Sequence, residues 1–161
     1  MSNYPVYEAT KECARCGGLC CKRMPGHYSP SDFTDLSFEA LKAEIEKGNI
    51  AIDWWEADPK EYYLRARQLG ENVVHGSWGG ICVNLTPEGC SLGWDERPLG
   101  CKALKPSKYE CSSSYTKEQC KNDWKAYDAV LRELVEYFGD QTIPLDGLMT
   151  GFAEAMKWLL K

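Results

Sequence analysis

Cysteine is the residue that most constrains how this chain can fold. Nine cysteines occur among the 161 residues, and residues 22–81 contain none. This number exceeds what core packing requires, so the thiols indicate a chemical site. They form three groups along the sequence: Cys13, Cys16, Cys20 and Cys21; Cys82, Cys90 and Cys101; and Cys111 and Cys120.

Metal or cluster ligation, a disulfide framework and inert core packing are the three uses open to so many cysteines. The N-terminus lacks the cationic start and apolar run of a secretory signal. No apolar run reaches the length of about 18 residues that predicts a membrane span. We therefore expect a cytoplasmic protein, and a reducing cytosol disfavours disulfides. The odd number also leaves one thiol over, so ligation is the favoured interpretation.

Charge and motifs narrow the class of function. Asp and Glu number 24 and Lys and Arg 19, for a formal net charge of −5. Because no basic block occurs, the chain is not expected to bind nucleic acid. A nucleophile elbow, a phosphate-binding loop, a dinucleotide-binding glycine motif and the helical zinc-protease motif are also missing. Whether the protein is an enzyme stays open, and the expected partner is an unidentified protein or small molecule.

The first cysteine group has the form of a metal-binding knuckle. Cys13 and Cys16 are separated by two residues, and Gly17 follows them. A tight turn at this spacing aims both sulfurs at one ion, and glycine lets backbone N–H groups approach them. A redox dithiol is the alternative, although no apolar strand precedes the pair. Cys20 and Cys21 are adjacent, so in extended backbone one faces this site and the other a second site or the core.

The second group combines a hairpin with the start of a helix. Residues 81–92 predict a hairpin, because a Thr-Pro-Glu-Gly turn lies at their centre, and its two arms carry Cys82 and Cys90. Pro98 is tolerated in the first turn of a helix and predicts a start there. Cys101 then lies in or near the first turn, where the helix lowers the pKa of a thiol and favours ligation.

The third group has two interpretations for each cysteine. Cys111 lies in a serine-rich loop and is either a ligand or a free thiol. Thr116 and Gln119 form the Thr-x-x-Gln pattern of a capping box at the start of a helix. Cys120 lies in the first turn of that helix, on the face that carries Trp124. It is therefore either a ligand or a core residue.

Arginine and aromatic side chains also have structural and functional interpretations. Arg97 is expected either to donate to a sulfur or to form a surface ion pair with Asp95 or Glu96. Trp54-Trp55 and Tyr62-Tyr63 either pack in the core or form a binding surface for a peptide or small molecule. In the second case, an anion would be held by the cations nearby, which are Lys60, Arg65 and Arg67.

Hydrophobic periodicity predicts the elements around these groups. A helix is predicted between a Ser37 N-cap and a stop at Gly48. Another apolar helical face runs from Trp124 to Phe138, and a last amphipathic helix is predicted over residues 148–159. Residues 62–69 are predicted as a strand, with a helical turn as the alternative. Further strands are predicted at residues 50–54, 73–74 and 81–83.

Together these elements predict an α+β fold in a single domain over residues 1–161. A small region of β-hairpin and short strands, with cysteine-rich metal-binding loops, packs on two or three helices of the insert and the C-terminal part. Along the sequence the domain has four parts: the first cysteine cluster at 12–24, the insert at 25–80, the second cysteine cluster at 81–121 and the helical C-terminal part at 122–161.

The cysteine spacing resembles that of a known family. The pattern is Cys-x2-Cys-x3-Cys-Cys, a long insert, Cys-x7-Cys and Arg-Pro-x-x-Cys, and it lies within residues 13–21 and 82–101. It is similar to that of the YkgJ-type cysteine-cluster proteins, the CxxCxxCC zinc- or iron-chelating domains. The resemblance implies metal binding without a defined activity. It supports as ligands Cys13, Cys16, Cys20, Cys21, Cys82, Cys90 and Cys101.

Zinc and an iron–sulfur cluster both suit these thiols. Structural zinc takes four ligands in a closed tetrahedral site, and a [4Fe–4S] cluster also takes four thiolates. The Cys13–Cys16 knuckle favours zinc, whereas the adjacent Cys20 and Cys21 favour a cluster. His27 and His75 are isolated and are expected in loops or at the surface rather than as ligands.

We therefore expect a zinc–thiolate protein whose metal is mainly structural. The alternative is an iron–sulfur protein that acts in electron transfer or in modification of a partner protein. The complete set of expected metal ligands adds one cysteine of the third group and comprises Cys13, Cys16, Cys20, Cys21, Cys82, Cys90, Cys101 and Cys120.

Overall fold

Short antiparallel strand pairs and helices alternate along the chain. The computed structural model describes residues 25–55, 59–76, 79–105 and 112–139. The helices of this part are α1 (Phe38–Glu46), α2 (Leu99–Lys102), α3 (Lys117–Trp124) and α4 (Asp128–Phe138). The strands are β1 (Ile50–Trp55), β2 (Glu61–Ala66), β3 (Leu85–Thr86), β4 (Gly89–Cys90), β5 (Leu104–Lys105) and β6 (Ser112–Ser113), paired as β1–β2, β3–β4 and β5–β6. The expected α+β class is confirmed.

Strands β1 and β2 form the antiparallel hairpin on which the helices pack. Extended segments flank both of its edges. On the β2 side, Tyr28 N donates to Leu64 O (2.9 Å), and on the β1 side, Ile52 N donates to Val73 O (2.6 Å). Helix α1 packs against β1, and α3 and α4 pack against β2. The hairpin is therefore enclosed by backbone at its edges and by helices.

The other predicted strands are shorter in the structure than the sequence suggested. The predicted hairpin over 81–92 is confirmed, but β3 and β4 are each only two residues long. The predicted strands at 73–74 and 81–83 each contribute one isolated bridge. These bridges are Ile52–Val74 and Gln68–Cys82. Short pairs of this kind are marginally stable by themselves, so this region depends on what it packs against.

Helix α1 begins and ends where the sequence predicts. Ser37 Oγ accepts from Ala40 N (3.3 Å), which satisfies an N–H group that has no partner within the helix. Gly48 has φ +97°, a left-handed conformation that favours glycine and ends the helix. Leu41 and Ile45, one turn apart, are buried and direct the apolar face to the core.

The helical face predicted from Trp124 to Phe138 is present, but it is divided between two α-helices. Helix α3 ends at Trp124, a 3₁₀ turn (Lys125–Tyr127) follows, and α4 begins at Asp128. The indole Nε1 of Trp124 donates to Tyr28 O (2.8 Å), which anchors the end of α3 in the core. Apolar periodicity cannot reveal such a long-range contact, and the buried residues keep helical spacing through the turn.

The start of α3 agrees with the prediction. Thr116 Oγ1 accepts from Gln119 N (3.2 Å), and Thr116 N donates to Gln119 Oε1 (2.9 Å). These two reciprocal bonds are the capping box expected from the Thr-x-x-Gln pattern. The box fixes where α3 begins, and therefore where Cys120 enters the core.

A buried ion network lies on one face of the β1–β2 hairpin. Arg65 Nε donates to Asp53 Oδ2 (2.8 Å), and its two terminal nitrogens donate to Glu71 Oε1 (2.5 Å) and Oε2 (3.1 Å). Arg65 also donates to the carbonyls of Ala66 (3.0 Å) and His75 (2.9 Å). The Arg65 side chain is 2% exposed, so its charge is matched inside the protein rather than by water.

The structure decides between the two interpretations of the aromatic pairs for Tyr63 only, because Trp54 and Tyr62 are half-buried and Trp55 is exposed. Tyr63 is fully buried, which confirms core packing for that residue. Arg65 is enclosed, and Arg67 donates to Glu71 O from Nε (2.9 Å) and Nη2 (2.5 Å). Of the three cations suggested for an anion site, Lys60 is the exposed one, and its ammonium lies 4.1 Å from the ring centre of Trp54.

Within the described ranges, no helix combines the length and the apolar character needed to cross a membrane. The predicted helix at residues 148–159, the first cysteine group and Cys111 lie outside the described residues.

Replacement of Arg65 by alanine should lower the free energy of unfolding by about 3–5 kcal/mol, because it leaves two buried carboxylates without their guanidinium. Urea denaturation followed by tryptophan fluorescence measures this change. The matched control is Arg132→Ala, since Arg132 is half-exposed and pairs with Asp128 across one turn of α4. It should cost less than about 1 kcal/mol. Equal costs for the two variants would contradict the assigned role of the network.

Candidate metal centre

The backbone of residues 25–28 brings the core and the cysteine-bearing elements together. Ala66 N donates to Gly26 O (2.8 Å), so the segment pairs with β2. On its other side, Gly100 N of helix α2 donates to His27 O (2.9 Å). A Cβ at Gly100 would lie 2.6 Å from His27 N, which is too close for any side chain. Glycine at this position therefore lets α2 lie directly on the segment.

Helix α2 places Cys101 against Gly26. The helix is held by Leu99 N, which donates to Asp32 Oδ2 (2.9 Å). A Cβ at Gly26 would collide with the sulfur of Cys101 and lie 3.1 Å from Cys101 N. The absence of a side chain at Gly26 therefore makes the space that the Cys101 thiol occupies. The prediction that Cys101 lies in the first turn after Pro98 is confirmed.

Cys82 and Cys90 approach from the loop region that follows β2. Cys82 bridges Gln68, where Val83 N donates to Arg67 O (2.9 Å). Cys90 lies at the end of the short hairpin, paired with Leu85. Cys82 is buried and Cys90 half-buried. Burial raises the pKa of the Cys82 thiol to about 11.

Tyr28 is the common neighbour of these three cysteines. Burial raises its pKa, and nearby Cys101, Cys82, Asp32 and Cys90 add to this shift in that order. The charge of Cys90 likewise contributes to the raised pKa of Cys82. Three cysteines from distant parts of the sequence thus share one electrostatic neighbourhood.

The described residues alone do not complete a metal site. Within these ranges, no three His, Cys, Asp or Glu side chains lie close enough to hold an ion together. Cys13, Cys16, Cys20, Cys21 and Cys111 lie outside the described part of the chain. No disulfide links the four described cysteines, which are Cys82, Cys90, Cys101 and Cys120.

Cys120 occupies a different place from the other three. It is fully buried, and its thiol donates to Tyr28 O (3.3 Å), with Leu64 O at 3.8 Å. Burial raises the pKa of this thiol. A protonated thiol between two carbonyl oxygens is a hydrogen-bond donor, and this favours the core interpretation over ligation.

The histidines and Arg97 are also placed by the structure. His27 is 8% exposed and so does not lie at the surface, and its backbone forms an isolated bridge with Arg65 within an irregular segment. His75 is 41% exposed, with Nε2 3.8 Å from a Glu71 carboxylate oxygen. Arg97 is buried rather than at the surface, and its Nε donates to Leu92 O (3.3 Å).

Gly26 and Tyr28 are the residues that sequence reasoning missed. Pro25-Gly26 indicated only a turn, and Tyr28 carried no pattern. Their contribution depends on contacts with residues more than 50 positions away, which no local signal encodes.

Comparison with known proteins adds nothing to this geometry, since no protein-family model, curated protein or solved structure matches the chain.

Replacement of Gly26 by alanine should destabilise the protein by about 1–3 kcal/mol, because the new methyl group overlaps the Cys101 sulfur. Chemical denaturation measures the change. The matched control is Gly93→Ala, since Gly93 has φ −61° and its nearest neighbour is a Glu96 oxygen 4.0 Å away. An alanine at position 26 that is tolerated as well as one at 93 would refute the close contact.

The buried His27 should make stability depend on acid. Burial and the nearby Arg65 lower its pKa from 6.5 to about 4, although Asp53 opposes the shift. In the unfolded chain, the His27 side chain therefore binds a proton below pH 6.5, whereas in the folded protein it stays neutral down to about pH 4. The contribution of His27 to the free energy of unfolding is fully present above pH 6.5. It is lost as the pH falls to about 4, which lowers the free energy of unfolding by about 3 kcal/mol.

Urea denaturation of the wild type and His27→Gln between pH 7 and about 4 tests this expectation. The wild type should lose more stability than the variant over this interval, by about 3 kcal/mol. A His75→Gln variant is the control, because His75 is partly exposed, and it should follow the wild type. Parallel curves for wild type and His27→Gln would show that His27 is not held neutral.

Proposed function

We propose that this protein is a zinc–thiolate protein in which clustered cysteines bind the metal and the metal mainly stabilises the fold. The observation that carries the proposal is that Cys82, Cys90 and Cys101, far apart in sequence, all contribute to the raised pKa of Tyr28, while the sulfur of Cys101 lies against Gly26 of the same segment. These cysteines come from a bridge, a hairpin and a helix, and no disulfide joins them. Thiols collected in this way suit a soft metal ion.

The first cysteine group supplies the remaining proposed ligands. Cys21 precedes Gly26 by five residues, and five residues of extended chain span at most about 18 Å. Gly26 in turn lies against the sulfur of Cys101. The covalent chain therefore permits the first group to share a metal with Cys101. The proposed ligands are Cys13, Cys16, Cys20, Cys21, Cys82, Cys90 and Cys101.

The close contact between Gly26 and the sulfur of Cys101 supports the proposal that Cys101 is a metal ligand. A sulfur seated on the Cα of a glycine has backbone close to it, and backbone N–H groups stabilise the charge of a thiolate ligand. Structural zinc sites of four thiolates are closed, so the metal would offer no open position for catalysis. Seven thiolates, with an eighth from elsewhere, suit two such sites or one binuclear site.

A structural role follows from the shortness of the elements that carry these cysteines. Cys101 lies in the four-residue helix α2, and Cys90 lies in β4, which pairs with β3 over only two residues. Such pairs do not hold a region of this length in place without help. Metal bound across them would add its binding free energy to that of folding.

An iron–sulfur protein is the second candidate. The adjacent Cys20 and Cys21 and the resemblance to the YkgJ-type family favour it, because a cluster takes thiolates from closely spaced cysteines. Its function would be electron transfer or the modification of a partner protein. Anaerobically purified protein distinguishes the two candidates by colour and metal content, since a cluster is brown and zinc is colourless.

Cys90→Ser should lower the zinc content by about one ion per chain and destabilise the domain by several kcal/mol. Cys90 is the informative position because its side chain is only half-buried, so the loss of packing is small. Elemental analysis and thermal unfolding measure the two effects.

Zinc affinity should also fall as the pH is lowered, because the Cys82 thiol, with its pKa raised to about 11, must lose its proton to bind.

Cys120→Ala is the matched control. The Cys120 thiol donates to a backbone carbonyl, so its removal should leave the zinc content unchanged even if stability falls. Full zinc content in Cys90→Ser, or a native protein that folds without metal, would overturn the proposal. Brown protein containing iron and sulfide in place of zinc would establish the second candidate.

A further inference from the structure

A cleft of about 390 Å³ opens beside helix α1. Two neighbouring elements complete it, the 3₁₀ turn Pro30–Asp32 and the loop through residues 92–97. Aromatic and aliphatic side chains form part of its wall, including Tyr28, Phe33 and Leu92. The rings of Tyr28 and Phe33 contact each other with their centres 5.5 Å apart. The volume lies in the range of small-molecule sites, and none of its lining residues is a cysteine.

The charged side chains of the cleft are mostly acidic. Its lining carboxylates are Asp32, Asp35, Glu44, Asp95 and Glu96. The two cations that line it are already engaged. Lys47 pairs with Glu44 (2.8 Å), and Arg97 donates to Leu92 O (3.3 Å) and lies 5.6 Å from the ring centre of Trp94. The negative charge of the cleft is therefore only partly balanced from within.

Asp32 shows this imbalance at the inner wall. Its Oδ2 accepts from Ser29 N (2.8 Å) and from Leu99 N (2.9 Å). Burial nevertheless raises the pKa of this carboxyl, because these two N–H groups and the charge of Lys102 do not fully replace the water that is lost. A cation that entered the cleft would supply the missing compensation.

We propose that this cleft binds a small organic cation, an ammonium group attached to an aromatic or aliphatic part. The apolar part packs on Tyr28, Phe33 and Leu92, and the ammonium group lies among the carboxylates. A low local dielectric strengthens the attraction between the ammonium and the partly buried Asp32. No cysteine lines the cleft, although Tyr28 belongs both to its wall and to the surroundings of Cys82, Cys90 and Cys101.

Calorimetric titration of the full chain, as purified, with benzylamine tests the proposal. Benzyl alcohol and benzoate are the matched probes, because they keep the ring and replace the positive charge by no charge or by a negative one. Benzylamine should bind at least about tenfold more tightly than benzyl alcohol, and benzoate should not bind. Raising the salt concentration should weaken benzylamine binding. Equal affinities for the amine and the alcohol would overturn the proposal.

The double variant Asp95→Asn/Glu96→Gln identifies the site. Both residues are exposed, so the change should not disturb folding, and benzylamine affinity should fall about fivefold or more. Glu88→Gln is the control, because Glu88 is an exposed carboxylate in the β3–β4 turn and does not line the cleft. Unchanged affinity in the double variant would overturn the assignment. Tighter binding of the blocked tripeptide acetyl-Gly-Lys-Gly-amide than of benzylamine would overturn the choice of a small molecule.

Discussion

The backbone of residues 26–28 is the constraint on which the rest of the described structure depends. One edge of this segment pairs with β2, and the carbonyl of His27 accepts from helix α2. The carbonyl of Tyr28 accepts both the indole N–H of Trp124 and the thiol of Cys120. Because a buried backbone group without a partner is costly, these bonds hold sheet, α2 and α3 in one arrangement. Helix α2, which carries Cys101, is therefore joined to the hairpin of the core through these three consecutive residues.

Local features of the fold could be predicted from the sequence, and long-range ones could not. Three helix ends were predicted because each depends only on residues within one or two turns. They are the cap at Ser37, the stop at Gly48 and the capping box at Thr116. The Arg65 network joins residues 12 and six positions away and leaves no periodic trace. For the same reason the break after Trp124 was missed, since its anchor, Tyr28, lies 96 positions away in the sequence.

The candidate site divides in the same way. Spacing and the turn sequence predicted where Cys90 and Cys101 lie, but Cys82, expected on an arm of the hairpin, lies before it in an isolated bridge with Gln68. They could not predict that Cys82 and Cys120, both buried, have different surroundings. Cys120 lies between backbone carbonyls, whereas Cys82 lies in the electrostatic neighbourhood of Cys90. Residue type is identical in the two cases, and only the folded surroundings separate a ligand candidate from a core thiol.

The close approach of Gly26 and Gly100 to their neighbours has a consequence for how such sites are recognised. What these two residues contribute is empty volume, since any side chain would collide with Cys101 at one position and with His27 at the other. Alanine-scanning mutagenesis normally removes side-chain atoms, but at Gly26 and Gly100 it adds a methyl group. In this protein two residues without side chains therefore constrain substitution beside Cys101, although they carry no reactive group.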